Sequence, residues 1–144
     1  LTWSDIDRKR QVLTFMDTKN GTDRTIPIGK RVGELLTDLK KHKIKDCDLV
    51  FPSSNRAGEI VATHWPAKLN KKACDAVGAV CTVHGLRRTF ATELERLDCP
   101  QIPLKALLGH SMKSDVTTGH YVKVDVERLR PWIEKYEAAI LGER

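Results

Sequence analysis

The chain has 144 residues, about the length of one domain, and 40% of them are hydrophobic, which argues for a packed core and against disorder. No apolar run is long enough for a membrane span and no signal peptide opens the chain, so we expect a soluble, cytoplasmic protein without a membrane partner. Lys and Arg number 25 against 19 Asp and Glu, and the net charge of +6 favours a polyanionic partner, although a merely basic protein would show the same balance.

The positive charge is spread over the chain and is not gathered in one tail. Dispersed clusters of this kind suit a groove that follows a phosphate backbone. They stand at Arg8-Lys9-Arg10, Lys40-Lys41-His42-Lys43, Lys71-Lys72 and Arg87-Arg88. The chain opens on Leu1 without an initiator methionine, which predicts a fragment of a longer protein.

Residues 1–28 are predicted to form a small antiparallel sheet of three strands. Alternating apolar residues indicate a first strand at 1–3 and a second at 12–16. The Asn-Gly pair at 20–21 favours the tight turn of a hairpin. The third strand, 25–28, contains Pro27, which cannot donate to a ladder and therefore predicts an edge strand.

The rest of the chain is predicted to be mainly helical. Apolar spacing indicates helices at 30–42, from a Thr63 cap to Gly78, from about 84 to 97, from about 101 to Gly109, and from about 125 onwards. Pro131 would kink or restart the last of these helices. Residues 46–58 are predicted as a link and a loop. The expected fold class is α+β and mostly α-helical, with the sheet at the N-terminal edge of a helical core.

Four cysteines are present, but no two have the C-x-x-C spacing of a zinc site. Without an export signal we expect reduced, semi-buried thiols without a function of their own. They are Cys47, Cys74, Cys81 and Cys99.

The first chemical candidates are His84 and Arg87, which lie three residues apart at the start of a predicted helix and therefore share a face. The backbone N–H groups and the positive dipole end of such a turn favour a phosphate, and a guanidinium can hold two phosphate oxygens at once. A capping histidine beside a surface arginine would give the same pattern.

His110 and the two tyrosines carry less information when each is taken alone. His110 follows a predicted glycine cap, and Tyr121 follows eleven positions later, after a polar segment. Tyr136 lies in the apolar stripe of the last helix and is interpreted as a packing residue.

Taken together, these residues resemble the tyrosine recombinases of the phage integrase family. The pattern is His-x-x-Arg, then Leu-Gly-His, then a tyrosine, within a basic and mostly helical domain. The similarity runs in order along essentially the whole chain, with matching stretches at residues 1–7, 18–21, 24–28, 48–52, 84–92 and 115–122. It implies one catalytic domain over residues 1–144 of an enzyme of site-specific DNA recombination and integration, of phage or genomic-island type.

The resemblance assigns a role to five residues. Tyr121 would be the nucleophile that forms a 3′-phosphotyrosyl link, and Arg87 would clamp the non-bridging oxygens. His84 would contact the phosphate and assist proton transfer, and His110 would be a second histidine donor. Lys19, on the hairpin turn, would enter the minor groove and protonate the leaving 5′-oxygen. No metal and no other cofactor is implied.

The resemblance also implies partners and one missing residue. Double-stranded DNA would be the substrate, self-association as a tetramer on DNA would involve residues 125–141, and accessory DNA-bending proteins would assist. The protein would be bacterial or phage-encoded. A further catalytic arginine would precede Leu1, together with core- and arm-binding domains, so these 144 residues alone are expected to be nearly inactive.

Two alternatives stay open at this stage. The chain could be a non-enzymatic DNA-binding module that keeps the integrase fold, which the full set of five residues argues against. It could also be a metal-dependent hydrolase that uses histidines, although no carboxylate–histidine motif stands at ligand spacing. Those histidines would be His64, His84, His110 and His120.

Overall fold

The computed structural model of the chain describes residues 1–16, 23–63, 66–110 and 124–142. Short 3-10 helices occupy Trp3–Asp5 and Val126–Arg128. The strands are β1 (Ile6–Asp7), β2 (Val12–Phe15), β3 (Arg24–Pro27), β4 (Pro52–Ser54) and β5 (Ile60–Ala62). The helices are α1 (Lys30–Lys41), α2 (Ala67–Val77), α3 (Val83–Arg96), α4 (Gln101–Leu108) and α5 (Arg130–Leu141). The predicted α+β class, mostly helical with an N-terminal sheet, is confirmed.

The N-terminal sheet has three antiparallel strands in the order β1-β2-β3. Pro27 pairs with Val12 on the edge strand β3, as the missing N–H of proline predicts. The predicted first strand at 1–3 is wrong. Thr2 forms only an isolated bridge with Leu49, and its N–H donates to the Asp5 carboxylate at 2.7 Å, which closes a 3-10 turn before β1 begins.

Helix α1 follows the sheet and is fixed at its start by a distant carboxylate. Glu137 of α5 accepts hydrogen bonds from the backbone N–H groups of Arg31, at 3.0 Å, and Val32, at 3.4 Å. The first N–H groups of a helix lack partners within the helix, and the N-cap Gly29 has no side chain that could accept from them. The Glu137 carboxylate supplies this acceptor. A Cβ on Gly29 would overlap the Glu137 carboxylate, so this contact also requires glycine.

The segment after α1 differs from its prediction. Residues predicted as a loop form the hairpin of β4 and β5, whose turn is held by the Asn55 side chain accepting from the N–H groups of Ala57 and Glu59. Thr63 does not cap α2, because the helix begins only at Ala67 and its N-cap is Pro66. The Thr63 N–H instead donates to the Phe51 carbonyl as part of the hairpin. Gly78 ends α2 in the left-handed region, as predicted (φ +64°).

The main core lies between α3, α4, α5 and the second 3-10 helix. Its buried members are Leu94, Cys99, Leu104, Leu107, Leu108 and Leu129. Ile26 of β3 packs on this cluster and also on a second one beneath the sheet, so the sheet and the helices share one body. Leu86 of α3 lies at helical spacing with Phe90 and Leu94, but it is 51% exposed.

Helix α5 packs on its own chain. Pro131 restarts the chain as a helix after the 3-10 turn, which confirms one of its two predicted effects. Tyr136 meets Phe90 edge-to-face, with ring centroids 4.7 Å apart, and is therefore a packing residue as interpreted. This face of α5 is therefore used within the chain, whereas Ile140 and Leu141 at the end of the helix are about half exposed.

Candidate active site

The first part of the site is the N-terminal turn of α3. Thr82 is the N-cap, and its hydroxyl accepts from the backbone N–H of Gly85 at 2.9 Å. His84 therefore does not cap the helix, and its side chain is exposed together with that of Arg87 one turn later. The structure thus removes the capping explanation for His84 and leaves an imidazole and a guanidinium on one exposed face.

Arg87 links α3 to the end of α4. Its Nη2 donates to the backbone carbonyl of Leu108 at 2.5 Å, across 21 residues of sequence. A guanidinium carries five N–H donors in a rigid plane, so a single bond to a carbonyl orients the group and leaves others for a ligand. The bond also satisfies a carbonyl in the last turn of α4, where helical carbonyls lack partners.

The turn after α4 places His110. Gly109 adopts φ +68°, in the left-handed region that glycine enters without a steric penalty, and the backbone N–H of His110 donates to Lys105 O at 2.9 Å. This closes the helix as predicted. His110 is exposed two residues beyond the carbonyl that Arg87 contacts. The structure therefore brings Arg87 and the Gly109–His110 turn together.

Arg24 of β3 also reaches this turn, and the sequence analysis did not assign it to the site. Its guanidinium packs against Gly109, where a Cβ would overlap Nη1, and lies over the Phe15 ring at 5.2 Å from the centroid. Burial lowers the pKa of Arg24, and the charge of the nearby Arg87 lowers that pKa further. The Nε atom of Arg24 is buried and has no hydrogen-bond partner among the described residues.

Strand periodicity is the signal that could have pointed to Arg24. Side chains two apart in a strand share a face, and Ile26 packs into both core clusters. Arg24 therefore starts on the inward face of β3. A charged residue at an inward position is unusual enough to mark a candidate site.

Two of the five predicted site residues lie outside the described residues. Lys19 falls within 17–22 and Tyr121 within 111–123. His64 and His120, which the metal alternative requires, also lie outside them. The roles of these four residues stay predictions.

The described residues offer neither a metal-binding cluster nor an activated thiol. Within residues 1–16, 23–63, 66–110 and 124–142, no cluster of three or more His, Cys, Asp or Glu could hold a metal ion. All four cysteines are free thiols, two buried and two half-buried, and burial raises the pKa of Cys99, which keeps that thiol protonated. Over the same described ranges, none of the helices has the length and apolar character to cross a membrane.

Comparisons with known proteins place the chain among relatives of one family. The model of the phage integrase family matches residues 1–128. Prophage integrase IntF of Escherichia coli is 32% identical over 99% of this chain and 30% of its own length. Tyrosine recombinase XerA of Thermococcus kodakarensis is 32% identical over 91% of this chain and 46% of its own length. XerA of Pyrococcus furiosus is 30% identical over the same shares.

The chain thus spans about a third to a half of the length of these relatives. The family match extends over the sheet, α3, α4 and the turn that carries His110, which are the parts that assemble the candidate site. On this evidence the chain belongs to the phage integrase family.

Proposed function

We propose that residues 1–144 form the catalytic part of a tyrosine-type site-specific recombinase that cuts and rejoins double-stranded DNA during integration of a phage or genomic island. The observation that carries the proposal is the hydrogen bond from Arg87 Nη2 to Leu108 O. It joins the helix start that bears His84 to the turn that bears His110. Family membership and the relatives, an integrase and two tyrosine recombinases, support it.

The described residues suit a phosphoryl transfer. Negative charge spreads over the phosphoryl oxygens in the transition state, and preorganised cations and donors stabilise it most effectively. Arg87 would hold the non-bridging oxygens, with His84 and His110 donating from either side. The positive dipole end of α3 adds to the attraction for the phosphate.

The remaining roles fall to Tyr121 and Lys19. The Tyr121 oxygen would attack the phosphorus and form a 3′-phosphotyrosyl bond, while the bond from phosphorus to the 5′-oxygen breaks. Lys19 would give its proton to that leaving oxygen, and His84 would assist removal of the tyrosine proton. A phenol with a pKa of about 10 is a weak nucleophile, so it needs this help near neutral pH.

Rejoining would reverse these steps. A free 5′-hydroxyl would attack the phosphotyrosyl phosphorus, return a proton to Lys19 and release Tyr121. The covalent link keeps the energy of the phosphodiester bond, so no ATP is consumed. The same chemistry would run in a tetramer on DNA, with DNA-bending proteins helping to assemble it.

None of the arginines in residues 1–144 matches the further phosphate-binding arginine that the family resemblance implies. We therefore expect these residues alone to form the covalent adduct on the order of 10²–10³-fold more slowly than the full-length protein, by analogy with the removal of one oxyanion donor.

The test is an adduct assay with the full-length protein and a nicked or half-site duplex, run in EDTA and read on a denaturing gel. We expect a protein–DNA adduct from the unaltered protein and none from Tyr121→Phe. Tyr136→Phe is the matched control, because Tyr136 packs on Phe90 in the core, and it should still form adduct. Adduct that survives Tyr121→Phe would refute the nucleophile, and strict dependence on added metal would favour a metal-dependent hydrolase.

A further inference from the structure

Two guanidinium groups meet at the C-terminal end of α4. Arg87 donates to the carbonyl of Leu108, and Arg24 packs against the next residue, Gly109. Arg87 lies on α3 and Arg24 on β3, and the two residues are 63 positions apart in sequence. Their charges are close enough for Arg87 to lower the pKa of Arg24.

No acidic side chain balances this pair within the part of the chain that the structure describes. The ion pairs found there join other residues, and neither Arg24 nor Arg87 belongs to one of them. The end of a helix supplies only about half a negative charge. Adjacent like charges in a partly desolvated place raise the free energy of the folded chain unless an anion joins them.

Arg24 is also held in a way that suits a ligand. The Phe15 ring supports one face of its guanidinium, and Phe15 is its direct partner in the β2–β3 ladder. This support restricts the side chain, so less conformational entropy is lost on binding. Its Nε–H is buried and has no partner among the residues that the structure describes. Because most buried donors in native proteins are paired, we expect this donor to be satisfied when a ligand binds.

A purely structural arginine would not need this arrangement. A cation that only closed α4 would be expected to donate to a carbonyl of the last turn, as Arg87 does. Within the described part of the chain Arg24 makes no such bond, and the N–H groups of Gly109 and His110 already donate to the carbonyls of Ala106 and Lys105.

We propose that Arg24 is a further phosphate-binding residue of the site, and that Arg24 and Arg87 together hold one phosphate group of DNA. Two planar forks that approach one phosphate from different elements fix both its position and its orientation. This inference rests on the proposed function for the identity of the ligand, a DNA phosphodiester. Phosphate binding itself can be measured without DNA cleavage.

The experiment is an NMR titration of the 144-residue chain with inorganic phosphate, which follows the arginine Nε–Hε signals. Arg24→Lys and Arg87→Lys would assign the two signals. We expect both signals to move and to saturate with one common dissociation constant. The signal of Arg56, on the exposed turn between β4 and β5, serves as the control and should stay in place. Movement of the Arg87 signal alone, or of neither signal, would overturn the proposal.

A second measurement compares variants. Arg24→Gln should weaken phosphate binding roughly tenfold to a hundredfold, the effect of losing a hydrogen bond between charged groups. Arg24→Lys keeps the positive charge but loses the planar guanidinium group, so its phosphate affinity should lie between those of Arg24→Gln and the unaltered chain. Arg56→Gln should bind as the unaltered chain does. Equal binding by Arg24→Gln, in a chain whose other NMR signals are unchanged, would contradict the proposal.

The two proposals can fail separately. If phosphate moves both arginine signals but Tyr121 forms no adduct with DNA, the phosphate site stands and the recombinase function falls. If adduct forms at an unchanged rate in Arg24→Gln and phosphate moves only Arg87, the function stands and the role of Arg24 falls.

Discussion

Apolar residues are buried in the core of α3, α4 and α5 but face outward in the described parts of the segment 51–80, which are residues 51–63 and 66–80. Leu94 is 0% exposed, whereas Val77 and Val80 are 75% and 94% exposed. Both regions have apolar residues at helical spacing, and α2 is a regular helix with its apolar stripe uncovered. Periodicity therefore predicts the helix in both places, but burial also requires a second surface to pack against.

The difference matters for the candidate site. Arg87 and His110 stand at the ends of two helices that hold each other through buried leucines, so their positions depend on the core. The segment of residues 51–80 contributes none of the described site contacts. We therefore expect substitutions in the core to disturb both stability and the site, and substitutions on α2 to disturb neither.

The largest expected effect is that of Leu94→Ala in the core compared with Leu69→Ala on α2. Leu94 is fully buried, so its truncation should lower the free energy of unfolding by about 2–5 kcal/mol. Leu69 is 69% exposed, and its truncation should change that free energy by roughly 0.5 kcal/mol or less. Urea unfolding of both variants checks this comparison. Equal losses would show that α2 is covered in solution and that the two regions do not differ.

The next effect compares two glycines that end helices. Gly109 and Gly78 both have positive φ, at +68° and +64°, so alanine should cost about 1–2 kcal/mol at either position. Gly109→Ala must also displace Arg24, whereas nothing lies within 4 Å of a Cβ at Gly78. Because the displaced group is the end of a flexible side chain, we expect only a small further loss of stability at Gly109, together with weaker phosphate binding.

Thermal unfolding and the phosphate titration, run on both glycine variants, separate the cost of positive φ from the cost of displacing Arg24. If Gly78→Ala and Gly109→Ala lose the same stability and bind phosphate equally well, the contact between Arg24 and Gly109 contributes neither to stability nor to phosphate binding.

The smallest effect concerns Tyr136, whose partly buried phenol packs against the core. Burial, and then the charge of Glu93, raise the pKa of Tyr136 above its ordinary value of 10.0. Because the folded state holds this proton more tightly than the unfolded chain, its contribution to stability is complete below about pH 10 and is lost as the pH rises through the higher folded-state pKa. The unaltered chain should therefore lose more stability between pH 8 and pH 11 than Tyr136→Phe. Urea unfolding at both pH values measures the two losses of stability. Identical losses in the unaltered chain and in Tyr136→Phe would contradict a raised pKa of the Tyr136 phenol.

Local signals in the sequence predicted much of the fold. Gly78 and Gly109 mark helix ends because positive φ suits glycine, and Pro27 marks an edge strand because it lacks an N–H. The hairpin of β4 and β5 was missed because strands of three residues are too short to show alternation, and its turn depends on the side chain of Asn55. The N-terminal strand was misplaced because the Thr2–Asp5 hydrogen bond outweighs the alternation of Leu1 and Trp3.

The candidate site could be predicted only where its residues stand close together in sequence. His84 and Arg87 share a turn, and His110 follows a glycine cap, so spacing alone indicates where they lie. Arg24 is far from both in sequence, and no local pattern shows that β3 would pack its first residue against Gly109. The cap at Thr82 was also missed, although a threonine two residues before the histidine is a helix-start signal.

The central claim is that Tyr121 is the residue that becomes linked to DNA, and mass spectrometry of the adduct tests it most directly. The chain has only two tyrosines, and trypsin would place them on different peptides, residues 114–123 for Tyr121 and residues 136–144 for Tyr136. After nuclease treatment of the adduct, our account predicts a nucleotide remnant on the peptide of residues 114–123. A remnant on the peptide of residues 136–144, or on a residue other than tyrosine, would contradict it.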